Sequence, residues 1–362
     1  MENEYLIYSK LEGDNYLAYV KKNKKFLLIS ESILDLLNIY LSKSKSKLKK
    51  IITDLYTDLD YDQIVNDLEH LLIEDSSTKE KISIPLIPYL DKKFQFKLGK
   101  IDYKILYNSS INLNDLIGQL HHLSNNTISE SKSIIIFSKN ETCYLFIENI
   151  LIGNWDINKL NFLKGKLISI LISNFHNTFE TNWSGFLHAS VINKLNKSFV
   201  IVGSSGSGKT TICKLLIDRG YSLFSDDIAP LDLNGNFAFF PNALSIKETG
   251  FDLVSKKISN YKVFDINTFK GVTRYLYPKK QKIENNFIQC NTIIKVKYLK
   301  NSKFTLNKNS IHEVLNEFIN DSYIPRNDLS VLSFIKWIKG CKVLDITYSD
   351  IDDVYDLFER SY

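Results

Sequence analysis

The sequence predicts an α/β protein: a core built around a glycine-rich loop set between a strand and a helix, preceded by a small α+β winged-helix-like domain. Three observations point to that class. The stretch "FVIVGSSGSGKTT", residues 199–211, puts a buried-strand run directly before a glycine-rich loop and a helix. Residues 1–75 read as a short ribbon followed by three amphipathic helices. Around and beyond the loop, strand-length apolar runs alternate with helical ones, as sheets covered by helices require.

Taken in order, residues 5–8, 16–20 and 26–29 are strand-like, with the turn signal "EGDN" between the first two. Ser30 offers an N-cap to a helix carrying Ile33, Leu34, Leu36 and Leu37. Residues 48–55 and 64–72 have the spacing of two further helices. The basic run "SKSKSKLKK" between the first and second helices reads as a solvated loop and helix start. A polar, apolar-free stretch, "EDSSTKEK", places a linker at 76–81. Residues 82–182 form a mixed unit, with strands at 94–98, 103–107, 133–137 and 143–147 and helices at 113–123 and 160–176; it carries no recognisable chemistry. Residues 183–300 are the core, with strands at 199–202 and 221–224, a helix at 209–219 and a late apolar strand in "CNTIIKVKYL". Residues 301–362 read as a helical segment packing on that core, broken at "DSYIPRND" and holding one late strand at 342–346.

Composition narrows the function classes. The 362 residues are 44% hydrophobic and 24% charged, which suits a folded chain of two or three domains. A formal net charge of +5 accommodates an acidic peptide or nucleotide and does not call for nucleic acid. The opening "MENEYLIYSK" lacks the apolar core of a signal peptide, and no run approaches membrane-span length, so the chain is expected in the cytoplasm and off the membrane. Four cysteines, without C-x-x-C pairing, indicate neither a zinc site nor a disulfide framework.

Residues 203–210 satisfy G-x-x-x-x-G-K-[ST] at every fixed position. The pattern makes chemical sense: glycines let successive N–H groups close around phosphate oxygens, and the helix N-terminus behind them adds positive potential. Gly203, Ser204, Ser205, Gly206, Ser207, Gly208, Lys209, Thr210 and Thr211 are therefore expected to hold ATP, with the Thr210 hydroxyl on Mg²⁺. One strand further on, Asp226 and Asp227 follow the run 221–224. Two adjacent carboxylates at a strand end can divide between the metal shell and the acceptor of a phosphoryl group.

In order and spacing, "FLHASV", "GSSGSGKTT", "RGYSLFSDDIAPLD", "ALSIKE" and "RYLYP" resemble HPr-kinase-related proteins, a bacterial group of P-loop serine kinases. The resemblance runs from about residue 94 to the C-terminus. It implies an active-site role for His188, Asp226 as acceptor of the hydroxyl proton, and Asp227 beside Thr210 on Mg²⁺. Arg274 would balance charge on the transferred phosphoryl, and Lys209 would stabilise it. The chain departs from HPr kinase proper where "LEIRG" is replaced by "LSIKE": Ser245 stands at the position of a metal-binding glutamate and Lys247 at that of an arginine. Reverse phosphorolysis, and HPr itself as substrate, are therefore not expected. Residues 1–75 more loosely resemble a PqqD-like domain, which grips the leader of a ribosomally made precursor peptide.

Together these readings give an ATP-dependent kinase acting on a Ser or Thr of a precursor peptide whose leader is held by residues 1–75. An HPr-type regulatory kinase or a small-molecule kinase is the nearest alternative, and a nucleotide-switched DNA-binding regulator is one from another class. Assembly into a homo-oligomer stays open.

Overall fold

The structure is a computed structural model describing every residue except 43, 56–59, 73–84, 127–129, 257, 270, 281–282, 284–285, 310 and 360–362. The expected linker, 76–81, lies outside the described residues. The architecture is mixed α/β with several sheets.

The first unit is a three-stranded antiparallel sheet, β1 (Leu6–Lys10), β2 (Asn15–Val20) and β3 (Lys25–Ser30), followed by α1 (Glu31–Leu41), α2 (Lys45–Leu55) and α3 (Tyr61–Leu71). Ser30 caps α1 as expected, accepting from the Ile33 N–H at 3.4 Å. Successive strand residues face opposite sides. Tyr16, Ala18, Val20, Leu27 and Ile29 thus pack on the unit's own helices. Ile7, Leu17, Tyr19 and Phe26 join a different core, shared with Phe334 and Trp337. Tyr19 and Phe26 rings lie 5.0 Å apart, Phe26 and Phe334 6.0 Å, and the Arg326 guanidinium sits 5.0 Å above Phe26. The unit is therefore docked on the body of the protein through the second face of its sheet.

The second unit is a five-stranded sheet in the order β4 (Lys92–Leu98), β5 (Ile101–Tyr107), β6 (Lys132–Lys139), β7 (Thr142–Ile147), β8 (Ile150–Asp156). Its parallel pair, β5 and β6, is joined through α4 (Leu113–Ile117) and a 3₁₀ turn, Gly118–Leu123. The single helix expected over 113–123 thus changes character at Gly118, a poor helix residue. The strand β8 was not expected from the sequence. The helix α5 (Leu160–Phe175) lays Leu163, Leu167, Ile168, Leu171 and Ile172 into the core of this unit.

The body follows. Its first strands are β9 (Trp183–Leu187), β10 (Ser190–Lys194) and β11 (Lys197–Val202); α6 (Lys209–Ile217) and β12 (Ser222–Ser225) come next. Then come β13 (Ala229–Asp232), β14 (Asn236–Ala238), β15 (Leu244–Lys247), β16 (Tyr261–Thr268), β17 (Gly271–Pro278), β18 (Phe287–Gln289) and β19 (Thr292–Tyr298). The last elements are β20 (Thr305–Asn309), α7 (Ile311–Asp321), α8 (Asp328–Lys339), β21 (Lys342–Tyr348) and α9 (Ile351–Glu359). Six of the strands form the central sheet, β12-β10-β11-β19-β21-β20, with β11, β19 and β21 parallel. Within 301–362 the late strand expected at 342–346 is β21, and β20, which was not expected, joins it. Both lie in the central sheet, and β21 pairs over its whole length with β19 because its apolar residues are buried on both faces. No helix among the described residues is long and apolar enough to cross a membrane.

Candidate functional site

Strand register brings three loops to one end of the central sheet. The antiparallel pairing of β10 with β11 sets Ser190 opposite Ile201, and that of β10 with β12 sets Val191 opposite Ser225. The loop after β11, the residues just before β10 and the pair after β12 therefore meet.

The loop after β11 has the backbone its glycines foretell. Gly203, Gly206 and Gly208 have φ of +149°, +87° and +94°. A Cβ on Gly203 would lie 2.6 Å from Ser207 Oγ and one on Gly208 2.6 Å from the Tyr348 hydroxyl, so both positions exclude a side chain. Ser204, Ser205 and Gly206 form an exposed rim, and Thr211 is the third residue of α6. Lys209 Nζ folds back to the Gly203 carbonyl and lies 3.4 Å from His188 Nε2.

The two aspartates part company. Asp226 is buried at 1% exposure. It accepts from Ser190 Oγ at 2.5 Å, from the Ser245 N–H at 3.1 Å and from Thr210 Oγ1 at 3.5 Å. Its backbone is clasped by Asn242, whose amide accepts from the Asp226 N–H and donates to the Asp226 carbonyl. Burial pushes the Asp226 carboxyl up to about 6, and the neighbouring Asp227 charge adds to that. Asp227 adopts φ +67°, a left-handed backbone that turns its side chain away from its neighbour. Its Oδ2 lies 2.7 Å from Lys164 Nζ and its Oδ1 3.4 Å from His188 Nδ1. Lys164 holds its carboxyl well below the usual carboxylate range. Burial depresses the His188 pKa, against the pull of Asp227. A neutral ring can accept at Nε2 from Lys209 while its Nδ1 side faces Asp227.

The sequence reading is corrected at two places. Thr210 lies beside Asp226, whereas the reading had put Asp227 there, because the left-handed turn at Asp227 swings the second carboxylate toward the second unit. Arg274 does not reach the loop. Ser245 pairs with Tyr275 and Ile246 with Arg274. Tyr275 faces Lys164 and Asp227, so its neighbour faces the other side. There Arg274 makes a two-pronged pair with Asp265 at 2.7 and 2.6 Å and lies 4.2 Å over the Phe251 ring. Lys247 does reach the loop, its Nζ 2.5 Å from Ser205 Oγ. Ser245, at the expected glutamate position, presents its backbone N–H to Asp226.

Two participants were missed, both from the unit read as empty of chemistry. Lys164 looks like any surface lysine of an amphipathic helix. Gln119 supports Asn242, its Oε1 accepting at 3.3 Å, while its carbonyl accepts from the Ala243 N–H.

The residues present fit Mg·ATP. Left-handed glycines shape the loop, the Ser207 Oγ in it is buried without a partner, and a carboxylate stands next to the Thr210 hydroxyl. No family model matches the chain, and no curated protein does.

Proposed function

We propose that the chain is an ATP-dependent kinase of the HPr-kinase-related type. It phosphorylates a Ser or Thr hydroxyl of a ribosomally made precursor peptide recruited by a PqqD-like first unit. The observation that carries this reading is the meeting of the glycine loop, Asp226 with Thr210, and Asp227 with His188 at one sheet end.

In this reading the roles of the two aspartates exchange. Asp226, buried among donors and beside Thr210, suits the metal side; Mg²⁺ there would neutralise charge on the phosphate oxygens. Asp227, at 30% side-chain exposure, suits the acceptor side. Lys209 leaves the Gly203 carbonyl to contact the γ-phosphoryl group, whose charge it stabilises. The acceptor oxygen bonds to the γ-phosphorus, the bond to the ADP oxygen breaks, and the hydroxyl proton passes to Asp227. Lys247 closes over the loop from β15.

The first unit supports peptide recruitment through β3, which lies at the edge of its sheet. An extended leader can add to that edge, with α3 supplying side-chain contacts.

The test is transfer from Mg·ATP to a short precursor encoded beside this gene, read by mass spectrometry as a phosphate on Ser or Thr. Lys209→Ala should abolish it, and retained turnover in that variant removes the kinase reading. Binding of duplex DNA with a steep salt slope, and indifference to peptides, would favour a regulator instead.

A further inference from the structure

Arg274, expected to supply a cation to the transferring group, is engaged elsewhere, yet the acceptor side holds a cation from an unexpected source. Lys164 stands on α5 of the second unit, 63 residues before its partner Asp227, with Nζ 2.7 Å from Oδ2. The buried stripe of Leu163, Leu167, Ile168, Leu171 and Ile172 seats α5 and so fixes where the Lys164 stem begins. Lys166, two residues on, is occupied by Glu180 at 2.5 Å and does not compete.

Asp227 carries two marks of a functional carboxylate. Its left-handed backbone turns its side chain away from Asp226 and toward the second unit. Each of its oxygens also has its own partner, Lys164 on one and His188 on the other, which sets the plane of the group. The Lys164 and Asp227 side chains are half-buried, at 27% and 30% exposure.

We propose that Lys164 is a positioning residue for phosphoryl transfer, reaching across from the second unit to orient the Asp227 carboxylate toward the acceptor hydroxyl. The inference rests on the kinase reading and deepens it. The second unit is thereby part of the catalytic machinery, and α5 forms one wall of the site.

The test uses the full chain with Lys164→Gln, Lys164→Arg and the inactive reference Lys209→Ala. Lys164→Gln should lower kcat for the precursor peptide about a hundredfold, the usual contribution of a positioned base. Its KM and nucleotide Kd should stay within about threefold of wild type, the signature of an interaction used only in the transition state. Lys164→Arg, which keeps the charge and can bridge a carboxylate, should recover to within about tenfold. If Lys164→Gln turns over within about threefold of wild type while Lys209→Ala is dead, the inference falls and the kinase reading stands. Loss of nucleotide binding in the Gln and Arg variants alike also overturns it, because the role is then structural. If Lys209→Ala is as active as wild type, the kinase reading falls instead. The contact is then read without activity, from a double-mutant cycle in thermal unfolding on Lys164→Gln and Asp227→Asn: coupling supports the orientation of Asp227 by Lys164, and additivity overturns it.

Discussion

Two aspartates adjacent in sequence are set about as differently as neighbours can be. Asp226 is sealed among Ser190, Ser245 and Thr210, whereas Asp227 opens toward Lys164 and His188. Opposite phenotypes follow. Asp226→Asn removes the charge beside Thr210 and should weaken Mg·ATP binding at least about tenfold, measured by calorimetry. Asp227→Asn should leave that affinity within about twofold and lower the rate of transfer by about a hundredfold or more. The reverse pattern would return the base to Asp226. A carboxylate pair after a strand was visible in the sequence; its division of labour was not, because it depends on one left-handed φ and on a lysine distant along the chain.

At the scale of elements, the 3₁₀ turn Gly118–Leu123 under β17 shows how a site is braced from below. Gln119 holds Asn242, and the His122 ring stacks on Tyr277 at 3.9 Å. Burial drives the His122 pKa down to about 3, and Lys262 adds to the effect. Its charged and titratable neighbours are Lys262 and His121, with the Gln119 and Pro241 backbone groups favouring the proton weakly. The native state therefore holds fewer protons on this group than the unfolded chain, whose histidine titrates near 6.5. Its contribution to stability is complete above about pH 6.5 and is lost as pH falls from there toward 3. Between pH 6.5 and about 4.5 the loss should be of order 2 kcal/mol. His122→Phe, which keeps a ring on Tyr277, should flatten the acid side of the melting-temperature profile. An unchanged acid slope would remove His122 as its source. The sequence pointed to a helix over 113–123, and the apolar spacing was real. Only packing against Tyr275, whose hydroxyl leaves 2.5 Å for a Cβ on Gly118, explains why a glycine sits where the helix tightens.

Across the whole molecule, the first unit is docked as well as tethered. Phe26 and Tyr19 meet Phe334 in a core common to both parts, and Lys21 pairs with Asp328 at 3.2 Å. Removing residues 1–81 should therefore do two things at once. On the proposed function it should raise the apparent KM for a full-length precursor with little change in kcat, since recruitment would be lost and chemistry would not. It should also lower the melting temperature of the remainder, because the face carrying Phe334 becomes exposed, and a buried aromatic of that kind contributes about 1.5–3 kcal/mol. A truncated chain that melts like the full one would show that the docking contributes nothing to stability. A precursor without its leader should be phosphorylated equally poorly by both forms.

What the sequence by itself determined is local. The glycine loop, the Ser30 cap, the strand before Lys209 and the aspartate pair follow from conformational rules acting within about ten residues, and the described structure has them where those rules put them. Only the tertiary structure decided which distant groups meet. It set β21, the strand expected at 342–346, beside β19 in the central sheet, and it drew Arg274 to Asp265. It also turned the second face of the first sheet onto Phe334 and brought Lys164 to Asp227 across 63 residues. A lysine on an amphipathic helix looks the same in sequence whether it faces water or a carboxylate. The seating of α5 on its core, which no local pattern encodes, makes that choice.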